Sequence, residues 1–225
     1  RQRQMCIRDR CRMALAEAIT NISGVKHDAL NKISFSANWM SSTKTADEKG
    51  DLVRGVQALA NMADSLNVSV PVGKDSLSMK VNWKEGQSEH TVTSPMTLNI
   101  SSFSNVNDLN KSVTPELSNS DTTLLHLWAH SDKYRMGGSA LYQCFKLYGG
   151  ATPDIDNANQ FKVLFEATQE LLDKDFIEAL HDISDGGLIT SLIEMALCSN
   201  QGLDINLDYS DKEQLVPKLL SLIHI

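Results

Sequence analysis

The chain has 225 residues, of which 41% are hydrophobic, and a formal net charge of −7. This length allows one large domain or two small ones, and the acidic balance argues against a polyanionic partner such as nucleic acid. No apolar run approaches the ~18–20 residues of a membrane span. Its four cysteines lack metal-ligand spacing and fit reduced thiols in a cytoplasmic protein.

Hydrophobic periodicity predicts a mixed α/β (α+β) chain. Helices are predicted at 13–22, 51–66, 138–148, 159–173, 187–198 and 211–219. Strands are predicted at 32–38, 68–72, 76–83, 89–93, 96–104 and 122–128. The dipeptide Ser94-Pro95 interrupts the pattern, and we therefore place a domain boundary near residues 88–95.

The first helix carries a pair of oxygen ligands. Glu17 and Asn21 are four residues apart, so they share one helix face. A carboxylate and an amide carbonyl are hard donors of the kind that Mg²⁺ prefers. A solvated helix face with an incidental Glu/Asn pair is the alternative that this segment alone leaves open.

The segment from Val70 to Lys80 contains Gly73-Lys74-Asp75-Ser76, which invites comparison with a phosphate-binding P-loop. A P-loop needs a glycine five residues before the Gly-Lys pair and Ser or Thr directly after the lysine. Val68 and Asp75 occupy those positions, which excludes a P-loop. What remains is a glycine turn with a lysine that leads into a strand.

The third segment, His181 to Leu188, places a histidine, two aspartates, a serine and two glycines before an apolar helix pattern. The apolar run from Phe176 to Leu180 precedes it, so the order predicts a strand, a polar turn and a helix start. Backbone N–H groups at such a helix start suit phosphate, and Asp182 and Asp185 could hold the Mg²⁺ that accompanies a nucleotide. The alternative is a helix N-cap with a glycine turn.

Together these segments resemble the phosphoribosylformylglycinamidine synthases, the large single-chain glutamine-dependent enzymes of purine synthesis. The resemblance covers about residues 12 to 219. It is carried, in order, by Ala16 to Ile22, Ser36 to Met40, Val70 to Lys80, and His181 to Leu188 with Glu194-Met195-Ala196. It implies a fold like that of aminoimidazole ribonucleotide synthetase, in which each half has an N-terminal and a C-terminal α/β domain.

The resemblance implies a reaction and a ligand set. Formylglycinamide ribonucleotide, glutamine and ATP give the amidine, glutamate, ADP and phosphate. ATP phosphorylates the amide oxygen, and ammonia from a glutaminase then displaces phosphate. The implied Mg²⁺ ligands are Glu17, Asn21 and Asp182, and Ser184 is the implied nucleotide contact.

The other polar residues of these segments receive lesser roles, and no catalytic residue is assigned. Lys74, Asp75 and Ser76 are expected to face substrate or nucleotide phosphate. His181 and Asp185 are expected to orient the turn rather than to act as acid or base. In the family, this half of the synthetase holds ADP in an auxiliary, structural role.

The resemblance also predicts that the chain is an internal piece of a longer protein. Residues 12–88 correspond to the end of an N-terminal synthetase domain and 95–219 to most of a C-terminal one. The first synthetase half and the glutaminase are the missing partners. Residues 1–11 and 220–225 match no part of the family and resemble translated sequencing-adapter DNA. The first eleven residues carry four Arg and one Asp, so the net charge is −10 without them.

Two other functions stay open at this point. One is a non-catalytic module that holds Mg²⁺-nucleotide, organises its partner half and is inactive in isolation. The other is a related enzyme such as aminoimidazole ribonucleotide synthetase or selenophosphate synthetase, against which the segments Ser36 to Met40 and Val70 to Lys80 argue.

Overall fold

A computed structural model describes residues 7–119, 121–129, 134–206 and 212–220 of the chain. The helices in these ranges are α1 Ile7–Thr20, α2 Ala46–Leu66, α3 Ala140–Cys144, α4 Ala158–Asp173, α5 Gly187–Ser199 and α6 Lys212–Leu220. The strands are β1 Ser34–Met40, β2 Ser69–Ser76, β3 Lys80–Glu85, β4 Ser88–Thr93 and β5 Thr97–Phe103. Short 3₁₀ turns occupy Leu30–Lys32 and Leu109–Lys111.

The central sheet has three strands in the order β2-β1-β5. Strand β1 pairs parallel with β2 and antiparallel with β5. Parallel neighbours need a crossover connection, and α2 supplies it. Strands β3 and β4 form a separate hairpin in which Glu85 faces Ser88 across a two-residue turn. Gly86 allows that turn because its φ is 62°.

The two faces of β1 differ. Phe35, Ala37 and Trp39 are buried, whereas Ser36 and Asn38 between them point to the half-exposed face. This period of two is what a strand with one covered face requires. The covered face joins one core with α1, α2 and α4, because residues of all four elements belong to the same buried cluster.

Helix α2 begins earlier than the apolar stripe predicted. Thr45 caps it: its hydroxyl accepts from the Glu48 N–H at 3.2 Å, while the Glu48 carboxylate accepts from the Thr45 N–H at 3.0 Å. This capping box satisfies two backbone donors that a helix start otherwise leaves unpaired. The helix therefore starts at Ala46, ahead of Leu52, the first residue of its apolar stripe.

A buried amide ties α4 to the loop after α1. The Gln169 side chain accepts from the His27 N–H at 2.7 Å and donates to the Ser23 carbonyl at 2.9 Å. His27 Nε2 lies 2.8 Å from the Ile22 carbonyl. Buried polar groups that are fully satisfied in this way stiffen a core. The network fixes the loop directly beyond the helix end that carries Glu17 and Asn21.

A second link joins α1 to the segment before α4. The Arg12 guanidinium donates to both carboxylate oxygens of Asp154, at 2.7 and 2.5 Å. Two parallel charge-assisted hydrogen bonds give this pair a defined geometry, and the hydrogen bond to Asp154 is the main reason that the pKa of Arg12 is raised.

Two predicted strands are absent from the described structure. Residues 121–129 and 176–182 contain no strand. Within these two ranges, Trp128 alone forms a β-bridge. An apolar run becomes a strand only where a neighbour completes its backbone hydrogen bonds. Leu125 and Phe176 are instead exposed, at 66% and 72%. The other predicted helices and strands are confirmed, with shifted ends. The glycine turn predicted at Gly73 is wrong, because Gly73 lies inside β2 and pairs with Ala37 of β1.

The sheet extends across the boundary that we expected near residues 88–95. Strand β5 lies beyond Pro95, yet it pairs with β1 along its whole length, from Thr97 opposite Met40 to Phe103 opposite Ser34. The Ser94-Pro95 break therefore leads into an outer strand of the same sheet. Proline is tolerated at such a position because the N–H that it lacks is not needed there.

Both ends of the chain were predicted to be foreign to the protein family, and this stays a prediction. Residues 1–6 and 221–225 lie outside the described ranges. Within the described ranges, α1 begins at Ile7, and both Ile7 and Cys11 are buried. No helix of the described structure is long and apolar enough to cross a membrane.

Cysteine alkylation should distinguish the three described thiols. Cys144 and Cys198 are exposed, whereas Cys11 is buried, and burial raises its pKa to about 11. Because the thiolate is the nucleophile, iodoacetamide at pH 8 should modify Cys144 and Cys198 well before Cys11, as read by peptide mass spectrometry. Labelling in denaturant is the control in which all should react. Equal native rates at Cys11 and Cys198 would contradict the described packing of α1.

Candidate functional site

The turn before α5 is built around a glycine pair. Gly186 and Gly187 have φ of 97° and 72°, values that L side chains rarely adopt. An added Cβ on Gly187 would also lie 2.5 Å from backbone atoms of Leu220. The Gly187 N–H donates to the Ser184 carbonyl at 3.0 Å, which closes the turn. This bend places Asp182, Ser184 and Asp185 at the start of α5.

Glu17 on α1 lies within electrostatic range of that turn. The Glu17 side chain is exposed to solvent. Nearby protein atoms nevertheless desolvate its carboxylate enough to raise its pKa, and the carboxylates of Asp182 and Asp185 raise that pKa further. Like charges raise a carboxyl pKa only when they lie close to it. Carboxylates from segments about 165 residues apart in the chain therefore lie within electrostatic range of one another.

Asn21 follows on the same face of α1. Its backbone N–H donates to the Glu17 carbonyl at 2.9 Å, which continues the helical hydrogen-bond pattern past Thr20. The side chains of Glu17 and Asn21 thus stand one turn apart. Both are solvent-exposed, so neither oxygen is committed to the core.

The Asp182 carboxylate is the buried member of the group, with 14% of its side chain exposed. Its Oδ1 lies 3.4 Å from His181 Nδ1. Its Oδ2 is buried and has no hydrogen-bond partner among the described residues. A buried carboxylate oxygen without a partner is costly, and a cation at this position would remove the cost.

The residues present fit a hard cation such as Mg²⁺. Two carboxylates and an amide oxygen are the donor type that Mg²⁺ takes from proteins, and the unpaired Asp182 Oδ2 is a free donor atom. The described residues do not hold three His, Cys, Asp or Glu side chains close enough together to form a preassembled metal group.

The residues predicted to face phosphate fall on different elements. Ser184 lies in the turn itself and is half-buried. Lys74, Asp75 and Ser76 lie at the end of β2, where the Lys74 ammonium donates to the Ser76 hydroxyl at 3.3 Å. Among the described residues, no hydrogen bond or ion pair joins this strand end to the turn.

The structure adds a residue to which the sequence gave no role. Glu194 on α5 lies beside His181, with its Oε2 2.9 Å from Nε2. Its signal in the sequence was its spacing: it lies seven residues after Gly187, two helical turns along the helix that the turn begins. An acidic residue there returns to the face beside the turn.

Comparison with protein families finds two adjacent domains in the chain. The model described as FGAR-AT PurM_N-like domain matches residues 5–105. The model described as AIR synthase related protein, C-terminal domain, matches residues 131–222. These matches confirm the fold class that the sequence predicted.

Among curated proteins, the phosphoribosylformylglycinamidine synthase of Schizosaccharomyces pombe is 40% identical over 202 residues. The matched region is 88% of this chain and 15% of that protein, so the chain spans a small part of the length of this relative.

Among solved structures, T. maritima PurL has the same fold. Its complex with ATP aligns with a TM-score of 0.50 over 96% of this chain and 32% of that one, at 12% identity. Its complex with FGAR gives a TM-score of 0.50 over 93% of this chain and 34% of that one, at 15% identity.

Proposed function

Since this chain belongs to the phosphoribosylformylglycinamidine synthase family, we propose that it is an internal segment of an ATP- and glutamine-dependent ligase. That ligase converts formylglycinamide ribonucleotide to formylglycinamidine ribonucleotide in purine biosynthesis. The observation that carries the proposal is the 40% identity to the fission yeast enzyme, which extends over 88% of the chain. The complexes of T. maritima PurL with ATP and with FGAR support the two ligands.

We propose that the polar residues of α1 and of the turn before α5 bind the nucleotide. The Asp182 Oδ2 and the side-chain oxygens of Glu17 and Asn21 would hold Mg²⁺. The Ser184 hydroxyl would donate to a phosphate oxygen, and the start of α5 would add backbone N–H groups. When bound, Mg²⁺ would neutralise phosphate charge. What the protein contributes is positioning and electrostatic stabilisation.

The remaining predicted contacts are weaker parts of the proposal. Lys74, Asp75 and Ser76 would face substrate or nucleotide phosphate from the end of β2. Lys74 and Asp75 are exposed and Ser76 is half-buried, so this strand end is accessible to a ligand. Because β5 completes the first sheet and the two family matches leave residues 106–130 between them, we place the domain division there rather than near 88–95.

We further propose a cytoplasmic parent protein whose first synthetase half and glutaminase lie outside this chain. Large apolar side chains of the described residues stay exposed, which fits surfaces that other parts of a longer protein cover. The most exposed are Tyr148 82%, Leu109 78%, Leu197 74%, Phe176 72%, Phe145 68%, Leu125 66% and Val53 66%.

Activity assays of two proteins test the proposal. The full-length protein that contains this chain should form formylglycinamidine ribonucleotide from formylglycinamide ribonucleotide, ATP and glutamine. The 225-residue chain alone, given ammonia in place of glutamine, should show no turnover. Product and ADP are both quantified.

Either of two results would contradict this assignment. Ammonia-dependent turnover by the isolated chain would mean that it is more than a segment of the active unit. Absence of product from a folded full-length protein that binds ATP would remove the ligase assignment itself.

A further inference from the structure

The β3–β4 hairpin has two chemically different faces. Its central cross-strand pairs are Val81 with Val92 and Trp83 with His90. Residues directly opposite each other, and residues two apart along a strand, point to the same side of the hairpin. These four side chains therefore share one face, which we call the Trp83 face. It is open to solvent: Val81 is 64% exposed, Val92 56% and Trp83 44%.

The opposite face is polar and makes its own contacts within the hairpin. The Thr91 hydroxyl donates to Asn82 Oδ1 at 3.0 Å, and the Lys84 ammonium lies 2.8 Å from the Glu89 carboxylate. Water covers such a face at little cost, whereas apolar side chains gain free energy when they leave water. A two-stranded hairpin is also marginally stable alone and is stabilised by packing on one face. The hairpin therefore needs a partner on the Trp83 face.

The size of the Trp83 face limits what can cover it. Two six-residue strands, with a rise of about 3.4 Å per residue and a spacing of about 4.8 Å, present roughly 200 Å². A stable interface between separate molecules buries about 800 Å² on each partner, so this face alone does not hold a second copy of the chain. A segment of the same polypeptide can bind through a smaller area, because covalent linkage gives it a high effective concentration.

We propose that the Trp83 face docks an apolar surface of the parent polypeptide that lies outside these 225 residues. The inference rests on the proposed function, in which this chain is a segment of a longer ligase. The matched region is 15% of the fission yeast enzyme, so a polypeptide of that kind has ample length to supply the cover. Aliphatic and aromatic side chains are the partner chemistry that fits, with Trp83 as the anchor, since tryptophan is enriched among the residues that dominate interface energies.

The test compares neighbouring positions on β4 in the purified full-length protein. Val92→Cys places a thiol on the Trp83 face, and Thr91→Cys places one on the polar face. Labelling with N-ethylmaleimide, read by peptide mass spectrometry, should be at least about tenfold slower at position 92, because a covered thiol reacts only when its cover opens. Labelling in denaturant is the control in which the two rates should agree. Val81→Cys and Asn82→Cys form an equivalent pair on β3, for use if a variant of the first pair does not fold.

Three outcomes are decisive. Slower labelling on the Trp83 face that persists on dilution supports the inference, and equal native rates on the two faces overturn it. Protection that disappears on dilution from about 10 μM to about 10 nM, where contacts of micromolar affinity dissociate, would assign the face to a second copy and overturn it as well.

The same preparations are assayed for formylglycinamidine ribonucleotide, so that the inference and the proposed function can fail separately. Product formation together with equal labelling rates removes the docking face alone. Absence of product from the folded wild-type protein, whatever the labelling rates, removes the ligase assignment on which the inference rests.

Discussion

Full-length protein carrying Asp182→Asn is expected to lose, during purification, the Mg²⁺-nucleotide that we propose for this site. The substitution keeps the size of the side chain but replaces a charged oxygen, the buried Oδ2 without a described partner, by a neutral group. Loss of a carboxylate ligand should weaken cation binding at least about 100-fold, the upper end of what the loss of an outer-shell partner costs. The measurement is the nucleotide content of the purified protein, by chromatography of the acid-released fraction.

The matched control is Asp204→Asn. Asp204 is an exposed aspartate in the segment after α5, and the same chemical change there should leave the nucleotide content at the wild-type value. If the Asp182→Asn protein also retains its nucleotide, Asp182 is not a ligand of the proposed cation, and the polar residues near Glu17 have only a structural role.

Phe165→Ala is expected to be the most destabilising of these changes. Phe165 on α4 is 1% exposed, belongs to the buried cluster that α1, β1 and α2 share, and stacks on His27 with ring centroids 6.3 Å apart. Truncation of a buried phenylalanine to alanine costs about 3–5 kcal/mol, through lost burial and the cavity left behind. Native-state hydrogen exchange in the full-length protein should show protection of the α4 and β1 amides reduced at least about 100-fold.

Val163→Ala provides the comparison on the same helix. Val163 is 63% exposed, so its truncation should leave the protection of α4 nearly unchanged, because exposed substitutions usually stay within about 0.5 kcal/mol. Equal effects of the two substitutions would show that α4 does not pack as described.

The candidate site is in electrostatic conflict without a cation. The pKa of Glu17 is raised by desolvation and, to a lesser extent, by the carboxylates of Asp182 and Asp185, and Asp182 has a buried oxygen without a partner among the described residues. Neither feature helps the chain to fold. Groups held at a cost to stability are typical of functional sites, where a ligand supplies the missing interaction.

Local chemistry was enough for most of the fold. The alternation of Ile33, Phe35 and Ala37 with polar residues predicted the strand that is β1, and the apolar stripe at 51–66 predicted the helix that is α2. The glycine pair Gly186-Gly187 marked the start of α5. These features depend on residues a few positions apart, so short-range sequence patterns determine them.

Sequence patterns predicted the donor residues of the site, whereas its assembly depends on contacts between residues far apart in the chain. The oxygen donors Glu17, Asn21 and Asp182 were identified from their segments and from the family resemblance. Their proximity was not visible in those segments, because it depends on how α1 packs beside the turn before α5. The link from Glu194 to His181 had only helical spacing as a signal.

Thus the sequence by itself determined most of the elements, the fold class and the donor types of this protein. Tertiary structure alone decided that β5 pairs with β1 across the proline break, and that the apolar runs at 122–128 and 176–180 are not strands in the described part of the chain. The physical reason is that a strand needs a partner for its backbone hydrogen bonds and an ionic site needs charges brought together. Both are set by residues far apart in the chain.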